Sequence, residues 1–146
     1  MIGIWLRSLF AVAFATVAIA AAAQQSGKVP AVGVLMLAAG PHETVVEAFR
    51  RGLRELGYVE GRNIRIEHRS ALGNIEMLPQ LAEELVGLGV DVIVVGALAP
   101  ALAARQASNT LPIVVAFYDY DPVATRLIES FRRPGGNITG VFGRQS

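Results

Sequence analysis

Tyr118-Asp119-Tyr120-Asp121 sets two carboxylates and two phenols within four positions, directly after the apolar run "LPIVVAF". That grouping suits a cationic amine together with a flat or apolar group. Two other short stretches are of the opposite kind. Ala38-Ala39-Gly40-Pro41 and Gly96-Ala97-Leu98 are small and uncharged, and each lies between an apolar run and a helical pattern. At such places main-chain N–H groups of a helix start stand open to a carboxylate or a similar anion. The candidate ligand-binding residues are therefore Ala39, Gly40, Pro41, Gly96, Ala97, Tyr118, Asp119, Asp121 and Pro122.

Several of these have a structural role as well. Asp121 followed by Pro122 is a good N-cap and first-turn pair, which does not exclude ligand contact. Asp119 also reads as a solvated loop carboxylate, and Tyr118 and Tyr120 as core and rim aromatics. His42, in the first turn of a helix, and His68, on an edge strand, read as surface residues.

What is missing narrows the chemistry. No G-x-G-x-x-G follows the first apolar run and no G-x-x-x-x-G-K-[ST] occurs, so neither a dinucleotide nor a P-loop site is expected. There is no G-x-S-x-G elbow, and no serine near a histidine and an acid at a strand end. A receiver domain needs acidic residues where Ala38 and Ala39 stand. Two carboxylates alone make a poor metal site. The chain has no cysteine, which excludes disulfides, thiolate metal sites and lipid attachment through an N-terminal cysteine. "NIT" at 137–139 matches a glycosylation sequon, a weak signal. No catalytic activity, cofactor or metal is expected.

The candidate loops are positioned by alternating elements. "AVGVLMLA" is a short, nearly continuous apolar run, as in a parallel strand buried on both faces. "GPHETVVEAFRRGLRELG" carries Val45, Phe49, Leu53 and Leu56 at helical spacing, with a favourable Glu47 to Arg51 pair between them. Gly57 ends this helix in the left-handed conformation that glycine adopts cheaply. "NIRIEHR" alternates apolar and polar residues, which predicts an edge strand wet on one face. "MLPQLAEELVGLG" is a second helix with Pro79 in its first turn, and Gly89 lies just past its end. "VDVIVVG" is a buried strand, "APALAARQAS" starts a third helix with Pro100 near its first turn, and "LPIVVAFY" is a fourth strand. Asp121 opens a fourth helix running to about Phe131, and "PGGNITGVF" turns into a fifth strand. Strand and helix in strict alternation, with loops of a few residues, give right-handed βαβ units. The expected fold is α/β, a flavodoxin-like open parallel sheet of order 2-1-3-4-5 with helices on both faces. At 146 residues the chain supports one domain at most.

Ahead of this domain, Arg7 precedes an uncharged run from Ser8 to Ala23 that ends in small residues. A positive start, an apolar stretch and an Ala-x-Ala exit predict a signal peptide over residues 1–23, leaving 24–146 as the mature domain. The rival is an uncleaved anchor, because Ile2 to Ala23 approaches spanning length; Arg7 interrupts it and half the run is alanine. Removing Arg7 from thirteen basic residues leaves twelve against twelve acidic ones. A neutral mature domain offers no electrostatic footprint for nucleic acid. Export without cysteine fits a bacterial periplasm.

The segments "AFRRGLRELGYVEGRNIRIEHR", "LPQLAEELVGLGVDVIVVG", "LPIVVAFYDYDPVA" and "RRPGGNITGVF" resemble the substrate-binding proteins of ABC transporters, in the tryptophan/tyrosine-type group. The resemblance runs from about Val32 to Phe142, with "RELGYVEGRNI" and "RPGGNITG" its most specific pieces. It implies a periplasmic-binding-protein-like receptor with two similar α/β lobes and no catalysis. Such a receptor traps a small solute, often an amino acid or related acid, in the cleft and delivers it to a membrane permease with its ATPase, as a monomer. Carried onto this chain, the cleft positions are Gly40 and Pro41, Gly96 and Ala97, and the Asp121-Pro122 pair. Tyr120 and Arg126 stand where relatives often have small residues. The family continues into a second lobe after the fifth strand, and "GRQS" does not match that continuation, so the expectation is the N-terminal lobe with the C-terminal lobe absent.

Two other classes stay open on the residues alone. A ligand-sensing receptor domain uses the same lobes. An exported flavodoxin-like enzyme or flavin carrier would need a hydroxyl-rich phosphate loop after the first strand, where "AAGPHE" stands.

Overall fold

The computed structural model describes residues 27–38, 42–116 and 121–141. The expected leader therefore lies outside the described residues. Five strands, β1 (Ala31–Met36), β2 (Arg65–Ser70), β3 (Val92–Val95), β4 (Ile113–Val115) and β5 (Ile138–Gly140), form one sheet in the order β2-β1-β3-β4-β5. All four pairings are parallel. This is the order anticipated from the sequence. Three helices connect them: α1 (His42–Glu55), α2 (Leu78–Gly87), entered through a 3-10 turn at Ile75–Met77, and α3 (Leu98–Ala107).

Alternation along β1 sorts the core into two layers. Ala31 and Leu35 point to the face covered by α2 and α3, where they join Leu81, Leu85, Ile93, Val95, Ala104, Ile113 and Val115. Val32 and Val34 point to the opposite face, where they join Val46 of α1 and Ile64. Gly33 sits under α2. A β-carbon there would stand 3.2 Å from Cδ1 of Leu85 and 3.3 Å from Cγ2 of Val90. Only the absence of a side chain lets this helix settle so close to the strand.

β2 is an edge strand, as its alternation predicts. Arg65, Glu67 and Arg69 line one side of it, with Arg65 paired to Glu67 at 3.0 Å and Arg69 paired to Glu84 of α2 at 3.0 Å. Ile64 is buried on the other side against α1. The start of β1 is clasped to the residue before β3. The Ala31 N–H donates to Oδ2 of Asp91 at 2.8 Å, the Asp91 N–H donates to the Ala31 carbonyl at 2.7 Å, and Lys28 Nζ donates to Oδ1 of Asp91.

Glycine ends α1 as expected: Gly57 has φ +87, and Gly89 past α2 has φ +67. The buried face of α1 differs from the expected one. Val46 is 2% exposed and Val45 is 45% exposed, while Leu56 lies past the last helical residue and is 76% exposed. The apolar stripe thus runs through Val46, Phe49 and Leu53, one residue round from the expected line. Glu47 pairs with Arg50 at 2.9 Å, and Arg50 also reaches Glu60.

The fourth helix does not form. Asp121 does cap, its Oδ1 accepting from the N–H groups of Val123 (2.8 Å) and Ala124 (3.1 Å), and the Thr125 N–H completes one turn onto the Asp121 carbonyl. Arg126 then takes φ +55, a left-handed conformation in which a helix cannot continue. Leu127 and Ile128 fold back, both donating to the Pro122 carbonyl, and bury in the layer that α2 and α3 share. Turns and bends, not a helix, occupy residues 122–132 on the way to β5.

Candidate functional site

In an open parallel sheet the strand order reverses between the first strand and its neighbour on the far side, and a crevice opens there at the carboxyl ends. Here that point lies between β1 and β3. The two strand ends meet through Met36 and Gly96: a β-carbon on the glycine would lie 3.2 Å from Cε of Met36. The chain leaving β1 is fixed by the loop after β2. The Ala71 N–H donates to the Met36 carbonyl, the Gly73 N–H to the Leu37 carbonyl, and Ser70 Oγ to the Ala38 carbonyl.

Gly96 and Ala97 lead directly into α3. Ala97 is the N-cap, in extended backbone at φ −157, and no side chain caps the helix. Its first turn holds no acidic residue. Pro100 lacks an N–H, so the amides of Leu98 and Ala99 are the donors offered at this end. They suit an anion, since the helix dipole adds partial positive charge where they point.

Beside this helix start lies an apolar cavity of about 590 Å³, between the first half of α1 and the carboxyl ends of β1, β3 and β4. Met36, Phe49, Val94, Gly96 and Ala116 are among its walls. Its size falls in the range of small-ligand sites, and its lining is almost wholly apolar. A donor pair for an anion next to an apolar chamber describes a site for a small molecule with one charged end and one greasy end. Among the described residues no group of three or more His, Asp or Glu side chains is placed to hold a metal ion.

Of the residues singled out in the sequence, Gly96 and Ala97 stand together at the crevice. Asp121 stands at the far end of the β4 exit, with Oδ1 committed to capping. Pro122 is fully buried as a packing element. Ala39, Gly40, Pro41, Tyr118 and Asp119 lie outside the described residues. Met36, Phe49 and Ala116 were not anticipated. They come from a strand, a helix and a strand end far apart in the chain, so no local spacing marks them as one wall.

A doubly wound parallel sheet of this order, with a crevice at its switch point, defines one lobe of a periplasmic-binding-protein-like fold. Residues 31–145 match the family model described as ABC transporter substrate binding protein. The chain belongs to that family. A curated relative, the tyrosine-binding protein of Clostridioides difficile (strain R20291), is 29% identical over 111 residues, which cover 75% of this chain and 32% of the relative. Among solved structures, an ABC domain in complex with L-Trp from Streptococcus pneumoniae is 28% identical with a TM-score of 0.71, over 79% of this chain and 39% of that one. A conserved domain protein from Vibrio cholerae O1 biovar El Tor is 33% identical with a TM-score of 0.71, over 77% and 38% respectively. The chain thus spans about a third of the length of the curated relative.

Proposed function

We propose that this chain is the N-terminal lobe of a solute-binding component of an ABC importer, and that its crevice forms one wall of a site for an amino acid or related small acid. The observation that carries this reading is the uncapped start of α3 beside the apolar cavity behind Met36 and Gly96. The solute's carboxylate meets the Leu98 and Ala99 amides, and its apolar side chain enters the chamber. The side-chain chemistry of Tyr118, Asp119 and Tyr120, which precede Asp121 in the sequence, suits an amino group. The tyrosine-binding protein and the domain in complex with L-Trp support an aromatic amino acid as the first solute to test.

On this reading the apolar leader exports the domain to the periplasm, where an opposing lobe closes over the solute. A membrane permease and its ATPase receive it from a monomeric carrier. Proteins of this family work outside the cytoplasm, which agrees with export. Closure matters to affinity, because a small ligand gains most when most of its surface is covered.

The test is a titration of the isotope-labelled chain with L-tryptophan, L-tyrosine and an aliphatic amino acid, followed by amide NMR shifts. Saturable shifts at Gly96, Ala97 and Leu98 are expected for at least one of them, with a rise in melting temperature that grows with concentration. No response at these amides to any amino acid or small organic acid would remove the reading.

A further inference from the structure

A second concave site lies at the opposite end of the sheet. α3 runs antiparallel to the strands, so its last turn and the residues entering β5 share the amino-terminal end. Between them is a cleft of about 450 Å³ lined by Arg105, Arg126, Glu129, Gly135, Gly136 and Asn137, among others.

Its charge is unbalanced. The ion pairs among the described residues use Lys28, Arg50, Arg65 and Arg69 as their cations. Arg105 and Arg126 in the cleft, and Arg132 and Arg133 in the adjoining turn, enter none of them. Glu129 is the single carboxylate in this group and enters none either. Its side chain lies against Gly135, where a β-carbon would come within 2.2 Å of Glu129 Cδ.

The cleft is also built rather than incidental. Arg126 is held at φ +55, which costs a residue with a side chain on the order of 1 kcal/mol. Buried Leu127 and Ile128 follow it directly, and Arg105 donates from Nη1 to the Arg126 carbonyl at 3.1 Å. The rim is closed by a tight turn in which the Glu129 N–H donates to the Pro134 carbonyl and the Ser130 N–H to the Arg133 carbonyl. The amides of Gly135 and Gly136, the first at φ +79, have no acceptor among the described residues outside regular ladders. Strain maintained at a concave surface points to use there.

We propose that this cleft is an anion-accepting site, taking a carboxylate or phosphate group on the Arg126 and Arg105 guanidinium forks and the Gly135–Gly136 amides. Guanidinium matches the planar two-oxygen edge of such groups, and charge-assisted bonds of this kind are the stronger sort. The anion reaches the cleft either free in solution or on an acidic segment of a partner protein. The site is separate from the solute crevice and does not depend on what that crevice binds.

The experiment is an amide and arginine Nε NMR titration of the chain with sodium phosphate, and separately with a short polyglutamate peptide, both at constant ionic strength. Saturable shifts confined to Gly135, Gly136, Asn137 and the Arg126 Nε are expected. A response to phosphate identifies a free anion as the occupant, and a response to the peptide alone identifies an acidic partner segment. Arg126→Gly removes the guanidinium and suits the left-handed backbone, so it folds, and it should weaken binding on the order of tenfold. Glu129→Gln removes the opposing charge and should tighten binding. Shifts at Gly96 on amino-acid addition should be the same in both variants. Absence of a saturable response to either probe, shifts spread evenly over the surface arginines, or undiminished binding by Arg126→Gly would each overturn the proposal.

Discussion

Met36 and Gly96 close the switch point between them: the place where a β-carbon would sit on Gly96 is 3.2 Å from Cε and 3.4 Å from Sδ of the methionine. One strand supplies a flexible thioether, the next supplies no side chain at all, and the crevice floor lies between. Gly96→Ala should cost less than about 1 kcal/mol, because the end of a methionine side chain can swing aside. Gly96→Leu should fill the chamber mouth and weaken amino-acid binding by about tenfold or more, with a much smaller change in melting temperature. Isothermal titration calorimetry beside thermal unfolding separates the two effects.

Gly33 and Leu85 test how tightly α2 lies on β1. Leu85 is fully buried, so Leu85→Ala should lose about 2–5 kcal/mol in urea unfolding. Gly33→Ala should lose about 1–3 kcal/mol by overpacking, since the new methyl meets both Leu85 and Val90. In the double variant the methyl enters space that the leucine vacated, and the combined loss should fall short of the sum of the two single losses. Strict additivity would show that the helix shifts away from the strand instead.

Asp91 links stability to acidity. Hydrogen bonds from Lys28 and then from the Ala31 N–H hold its carboxyl below the ordinary value of 3.8. The unfolded chain therefore binds this proton more readily than the folded one, and the group stabilises the fold only while it is ionised. The advantage of the parent over Asp91→Asn is expected in full at neutral pH, and above the ordinary carboxylate value generally. It should fade as the pH drops through the lower folded value. Melting temperatures of the two proteins compared at neutral and at strongly acidic pH read this directly. Added salt should screen the exposed Lys28 part of the effect and spare the Ala31 part.

Asp121 anchors the crossover from β4. Replacing it by alanine leaves the Val123 and Ala124 amides without their acceptor and should cost about 1 kcal/mol. Asp121→Asn should retain most of that stability because an amide oxygen caps as well. If the aspartate also meets an amino group of the solute, the asparagine variant should keep its melting temperature while losing affinity. If it only caps, both quantities should be preserved.

The elements that sequence periodicity reveals are those whose pattern is fixed by burial on a regular lattice. Continuous apolar runs at 31–36 and 92–95 mark central strands, the alternation at 63–69 marks the edge, and Gly57 marks a helix end, and the chain folds accordingly. Where two neighbours are equally apolar, periodicity alone does not choose. Val45 and Val46 differ only in which one the sheet meets, and the contact with Val32, Val34 and Ile64 decides for Val46. The segment after Asp121 has a good cap and helix-tolerant residues, yet burial of Leu127 and Ile128 behind a left-handed Arg126 outweighs that local preference. The cavity walls were the least legible part. Met36, Phe49 and Ala116 become one surface only when the strand order is known.

The salt-bridged flank of β2 has an effect beyond holding α2 in place. A sheet of this kind has two outer strands where a second molecule could add its own backbone, and charge along such a margin discourages that. One margin carries Arg65, Glu67 and Arg69, and the other, β5, is only three residues long. Copies of this domain should therefore resist joining into continuous ribbons, and any crowding-induced clumping should begin instead at the apolar cavity beside exposed Val45.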